Sequence, residues 1–114
     1  MTHEMKLQPA PFEQISAGTK TYELRLYDEK RRTIQTGDRI IFTNTRTDEQ
    51  LTVEVIGLYR FDTFAQLYET LPLERCGYAQ DEVQSAGPED MLAYYPAEKQ
   101  SCYGVVAIEI RCVY

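Results

Sequence analysis

The sequence contains no tryptophan, one histidine and three cysteines in 114 residues. Each scarcity removes a class of chemistry. With His3 alone, a Ser-His-Asp triad or a Cys/His zinc site would have to be built on a terminal segment. Cys76, Cys102 and Cys112 are odd in number and far apart, so neither a disulfide framework nor a C-x-x-C metal knuckle is written here. They read as small hydrophobic side chains, and no metal or cofactor is expected. No window approaches the ~18 to 20 apolar residues of a membrane span. The segment Met1-Thr2-His3-Glu4-Met5 lacks the charged-then-apolar pattern of a secretion signal, so the expected location is cytoplasmic. Without tryptophan, any stacking surface falls to the nine tyrosines and four phenylalanines.

Basic charge is also in short supply. Twelve Lys and Arg stand against eighteen Asp and Glu, for a net charge of −6. A protein that grips long duplex DNA carries a broad basic footprint, which this composition excludes. The charge is nevertheless polarised. Residues 20–39 hold Lys20, Arg25, Lys30, Arg31, Arg32 and Arg39 against four acids, a local +2. Residues 62–98 hold eight acids against Arg75, a local −7. A small basic site on an acidic body suits a small anionic ligand or a few nucleotides.

The hydrophobic fraction of 43% and charged fraction of 26% are ordinary for a globular domain, and the length predicts one domain over residues 1–114. His3 to Leu7 alternates weakly and is read as a first strand. Pro11 opens a short helix, Phe12 to Ala17, that Gly18 stops. Lys20 to Tyr27 alternates clearly: Tyr22, Leu24 and Leu26 on one face, Thr21, Glu23 and Arg25 on the other. Asp28 to Thr36 reads as a polar loop, and Gly37-Asp38 as the turn before a strand from Arg39 to Asn44. Leu51 to Tyr59 is the next strand, with Gly57 marking a bulge or bend. Thr63 and Gln66 have capping-box spacing for a helix carrying Phe64, Leu67, Tyr68 and Leu71, ended by Pro72. Gly87-Pro88 starts another short helix. Ala97 to Cys102 reads as a polar loop, and Gly104 to Tyr114 as the last strand. Short strands with helices between them predict a small, mostly antiparallel barrel.

Within this order, Glu23 and Arg25 share a strand face. Spacing leaves two readings open: an exposed ion pair worth ~0 to 1 kcal/mol, or a polar pair in a barrel mouth that meets a ligand's donor and acceptor edges. Lys20 starts the same strand; desolvated, it can polarise a bound group or act as a base, and otherwise it is a solvated strand-end lysine. Thr21 would need a neighbouring base to become a nucleophile. Lys30, Arg31 and Arg32 are a solvated charge run or a phosphate grip at the edge of the site. Of the tyrosines, Tyr94, Tyr95 and Tyr103 flank a loop and are the better stacking candidates, with Tyr94 and Tyr103 chosen as site residues.

Taken together, Pro11, Phe12, Ile15, Gly18, Lys20, Glu23 and Arg25 form the pattern PF-x-x-I-x-x-G-x-K-x-x-E-x-R, which resembles the signature of the ASCH domain. Asp28-x-Lys30-Arg31, the Gly37-Asp38 turn, Phe64-x-x-Leu67-Tyr68 and Tyr103-Gly104-Val105-Val106-x-Ile108 extend the resemblance over nearly the whole chain. The resemblance implies a PUA-like fold, α+β and mostly β: a small β-barrel with short peripheral helices. It also implies a cleft beside the first helix and the G-x-K strand that binds RNA or a nucleotide-like ligand. Gly18, Lys20, Thr21, Glu23, Arg25, Lys30, Arg31, Tyr94 and Tyr103 are the expected ligand-binding residues. The alternative it carries is a small hydrolase of modified nucleosides or RNA, with Lys20 and Glu23 as catalytic residues. Relatives that hydrolyse N4-acetylcytidine use a lysine, a threonine and a glutamate. Lys20 matches the lysine, but Glu23 stands at the threonine's position. Thr21 lies two strand residues away, ~6.6 Å, so that activity does not transfer.

Overall fold

In the computed structural model, described here for residues 1–113, five strands form one sheet in the order β1-β3-β4-β5-β2. The strands are β1 (Thr2–Leu7), β2 (Tyr22–Leu26), β3 (Arg39–Asn44), β4 (Gln50–Phe61) and β5 (Val105–Cys112). All pairings are antiparallel except β1 with β3, which run parallel. The sheet is therefore mixed, and it curls into a half-barrel. Its edge strands β1 and β2 are not joined by a ladder. The strand expected to run to Tyr114 ends in the described chain at Cys112, and Tyr114 lies outside the described residues.

Helix α1 (Pro9–Ala17) begins three residues earlier than the expected Phe12, because Pro9 and Pro11 fit a first turn whose N–H groups have no helical partner. It sets Phe12 and Ile15 into the concave face of the sheet. There they join Met5, Leu7, Ile40, Phe42, Val53, Val55, Val106, Ile108 and Ile110. The convex face has its own core. Leu24, Leu26, Val105 and Ala107 are covered by Phe64 and Leu67 of helix α3 (Phe64–Thr70) and by Met91 of a 3-10 helix, Pro88–Ala93. The Thr63 hydroxyl caps α3 by accepting from Gln66 N–H at 3.2 Å, as its spacing predicts. The β4–β5 ladder slips register between Val55 and Gly57, the bulge that Gly57 signalled.

Three segments depart from expectation. Part of the stretch read as a loop from Asp28 to Thr36 is a single turn, α2 (Glu29–Arg32), with Asp28 accepting from Arg31 N–H at 3.1 Å. The stretch read as a polar loop from Ala97 to Cys102 is helix α4 (Ala97–Tyr103). It has no buried residue, so its sequence carries no apolar stripe to betray it. The helix after Gly87 is 3-10 rather than α.

Candidate functional site

Gly18 adopts φ 83°, and its N–H closes α1 onto the carbonyls of Gln14 and Ile15. The amides of Thr19 and Lys20 both donate to Gln14 O, so the chain swings directly from helix into strand. Thr21 is held by its backbone: its N–H donates to Arg75 O at 2.8 Å, and its carbonyl accepts from Ile110 N–H at 2.9 Å. From there β2 alternates. Glu23 lies opposite Ile108 and Arg25 opposite Val106, both inner-core positions of β5. The polar side of β2 therefore faces the concave side of the sheet, and its apolar side packs outward against α3.

Glu23 is 4% exposed. One carboxylate oxygen, Oε1, lies 3.0 Å from Lys20 Nζ; the other, Oε2, accepts from Arg25 Nε and Nη2, each at 2.8 Å. Arg25 Nη2 also donates to Lys6 O at 3.1 Å, bridging the gap between the two edge strands. Burial pushes the Glu23 carboxyl up, but Lys20 and Arg25 together outweigh it and hold the group below the usual carboxylate range. Burial pulls the Arg25 guanidinium down, and Glu23 first, then Tyr95, reverse this and raise it. The exposed ion pair that spacing allowed is thus a buried cation-carboxylate-cation triad. Gly77, after the 3-10 turn Leu73–Arg75, packs over the Lys20 stem and accepts from Gln14 Nε2 at 3.2 Å. Cys76 is sealed beneath this segment, and burial pushes its thiol up to about 11, which leaves it unreactive.

A shallow cavity of about 480 Å³ opens in front of the triad, walled by Lys6, Arg25, Lys30 and Arg31, with Glu4 and Thr43 at its base. Arg31 Nη1 donates to Asp28 Oδ2 at 3.1 Å, while its buried Nε has no hydrogen-bond partner among the described residues. A second cavity, about 500 Å³, lies between α1 and the β3–β4 turn and includes none of the triad. The smaller cavity is the candidate site because Arg25 forms part of its wall.

The structure brings Lys20, Glu23, Arg25, Lys30 and Arg31 together. Gly18 shapes the turn into β2, and Thr21 contributes its backbone. Tyr94 projects into solvent, 68% exposed, and Tyr103 packs against the convex-face core. The tyrosine whose ionisation is coupled to Arg25, Glu23 and Arg31 is Tyr95, which stacks on Phe64 with centroids 6.2 Å apart. Burial raises its hydroxyl pKa, with Arg25 opposing. Nothing in the sequence separates Tyr95 from Tyr94. Lys6 was missed as well, since it enters the site from a strand remote in sequence. Tyr27 could have been found, because it continues the alternation of Glu23 and Arg25.

Residues 5–113 match the ASCH domain family. Among solved structures, the hypothetical protein PH0355 is 38% identical, with a TM-score of 0.83 over 99% of this chain and 100% of its own. PF0455 from Pyrococcus furiosus is 36% identical, with a TM-score of 0.77 over 99% of this chain and 98% of its own. An ASCH domain from Lactobacillus crispatus shares the fold at 12% identity, with a TM-score of 0.67 over 99% of this chain and 80% of its own. No curated protein matches. The match over nearly the whole chain and the shared half-barrel show that this chain belongs to the ASCH domain family.

Proposed function

We propose that the protein is a binding module for RNA or a small nucleotide-like ligand, and that the ligand enters the cleft at Lys20, Glu23 and Arg25. The ASCH family is generally associated with RNA binding. The observation that carries the proposal here is the convergence of Arg25 with Lys6, Lys30 and Arg31 around one cavity in a protein of net charge −6. Glu23 fixes the orientation of Arg25 by holding Nε and Nη2, and Nη1 is left by those contacts. Lys6, Lys30 and Arg31 then meet phosphate oxygens, and Arg25 meets a phosphate or a base carbonyl.

The hydrolase reading asks Glu23 to accept a proton. A general base works best with a pKa near the ambient pH. A carboxylate whose two oxygens are both engaged by cations, and whose pKa is lowered, takes protons poorly. The same arrangement suits binding, because it presents a rigid guanidinium.

A thermal-shift screen of nucleosides, nucleotides and short single-stranded RNAs tests this directly. Short RNA is expected to raise the melting temperature of the wild type, and Lys30→Ala/Arg31→Ala to shrink the shift. The binding proposal fails if no nucleic-acid component stabilises the wild type at millimolar concentration. Turnover of acylated nucleosides or RNA that Glu23→Gln abolishes would establish the hydrolase in its place.

A further inference from the structure

Lys30, Arg31 and Arg32 occupy one helical turn, so their side chains cannot all point the same way. Lys30 and Arg31 line the cleft. Arg32 goes elsewhere: its guanidinium carbon lies 4.5 Å from the centroid of the Tyr27 ring. Arg60 on β4 reaches the same ring at 5.3 Å. The strand register explains why these residues meet. Arg25 on β2 and Arg60 on β4 both lie opposite Val106, whose side chain is part of the concave core. Arg60 therefore shares a face with Arg25 two strand spacings away, roughly 10 Å. Tyr27, two residues beyond Arg25, continues the row toward Arg32.

Two guanidinium groups thus converge on one aromatic ring, and neither pairs with a carboxylate among the described residues. Both arginines are exposed, and the chain has acids to spare, eighteen against twelve bases. Like charges held close together repel unless an anion joins them. The ring face steadies each cation and leaves its N–H edges free for acceptors. Arg32 is oriented further by Nη2 donating to Tyr103 O at 3.4 Å.

We propose that Arg32 and Arg60, braced by Tyr27, form a second phosphate-binding site that receives a backbone phosphate of single-stranded RNA. The site goes beyond the cleft reading, since it uses none of the cleft's cationic residues. It lies beside the cleft, with α2 supplying Lys30 and Arg31 to one and Arg32 to the other. A strand crossing α2 would touch both. A flexible single strand suits a concave face on an acidic protein, whereas a duplex demands a broad basic surface.

Two measurements test this. The first is inorganic pyrophosphate titrated into the wild type at low salt, read from the arginine Nε–Hε resonances; it requires neither RNA nor a variant. The Arg32 and Arg60 signals are expected to move. The second is binding of an oligouridylate of about eight nucleotides across a salt series. Arg32→Ala/Arg60→Ala is expected to make the slope of log K against log salt shallower by about 1.4, at about 0.7 per lost phosphate contact, and to leave uridine monophosphate binding in the cleft unchanged. Stationary Arg32 and Arg60 signals, or a wild-type slope in the double variant, overturn the second site. Moving signals with no oligouridylate binding make it a small-polyanion site and overturn the RNA assignment. Failure of the cleft reading has a different signature: uridine monophosphate that does not bind, while Arg32 and Arg60 still respond.

Discussion

Glu23 has two cationic partners and almost no water. Removing its charge leaves Lys20 and Arg25 facing each other in a desolvated space, the arrangement in which breaking a buried pair is most damaging. Glu23→Gln is therefore expected to destabilise the protein by about 3 to 5 kcal/mol, measured by urea denaturation at neutral pH. The sign of its pH dependence follows from its lowered pKa. The folded carboxyl ionises below its usual value of 4.5, so its contribution is complete above that value and fades as the pH falls beneath it. The wild type is expected to lose stability through this range, and Glu23→Gln to show a flatter acid limb. The motif spacing made these three residues legible as a group. Their burial was not legible, because it depends on Arg75 to Gly77 folding over Lys20, and that segment has no pattern of its own.

Among the elements, the junction of α4 and β5 turns on Gly104. Its φ of 71° and ψ of −172° lie in a region that side-chain-bearing residues avoid, and an added Cβ would sit 3.2 Å from the Phe61 carbonyl. Gly18, at φ 83° and ψ 7°, lies in the left-handed region with open space around it. Gly104→Ala is expected to cost roughly 1 to 3 kcal/mol, and Gly18→Ala less, as compared by thermal melts of the two variants. The strands were easier to read than their surroundings. Alternation from Lys20 to Tyr27 correctly separated two faces of β2, but not which face was inner. Leu24 and Leu26 are buried on the convex side, under α3, and Glu23 and Arg25 on the concave side. A strand covered on both faces offers no polar side to mark the outside. Helix α4 failed for the opposite reason: with nothing buried, AEKQSCY reads as a loop, and only Pro96 before it and Gly104 after it bound it.

At the scale of the whole molecule, Asp38 ties distant parts of the chain together. Its carboxylate accepts from Gln35 N–H at 3.0 Å, lies 2.8 Å from His3 Nε2 and meets the terminal amine of Met1 at 3.3 Å. In the sequence it was only the second half of a turn. The hydrogen bond to His3, then that to the Gln35 amide, pull its pKa from 3.8 down to about 2. Its stabilising effect is therefore full above 3.8 and is lost as the pH falls toward 2. Asp38→Asn is expected to flatten the fall in melting temperature between these values, and to loosen β1 first, as read by amide exchange. Among the described residues no helix is long and apolar enough to cross a membrane.

The strand order has a consequence for timing. Glu23 pairs with Ile108, so the strand carrying the triad has its ladder partner at the far end of the sequence. Closing so long a loop is slow, and a chain emerging from the ribosome cannot form this pairing until β5 is out. The β3–β4 hairpin can form early, whereas β2 must wait as an unpaired strand with its charges still in water. Assembly of the site is thus a report of completed synthesis, and a chain truncated before β5 would lack the site altogether.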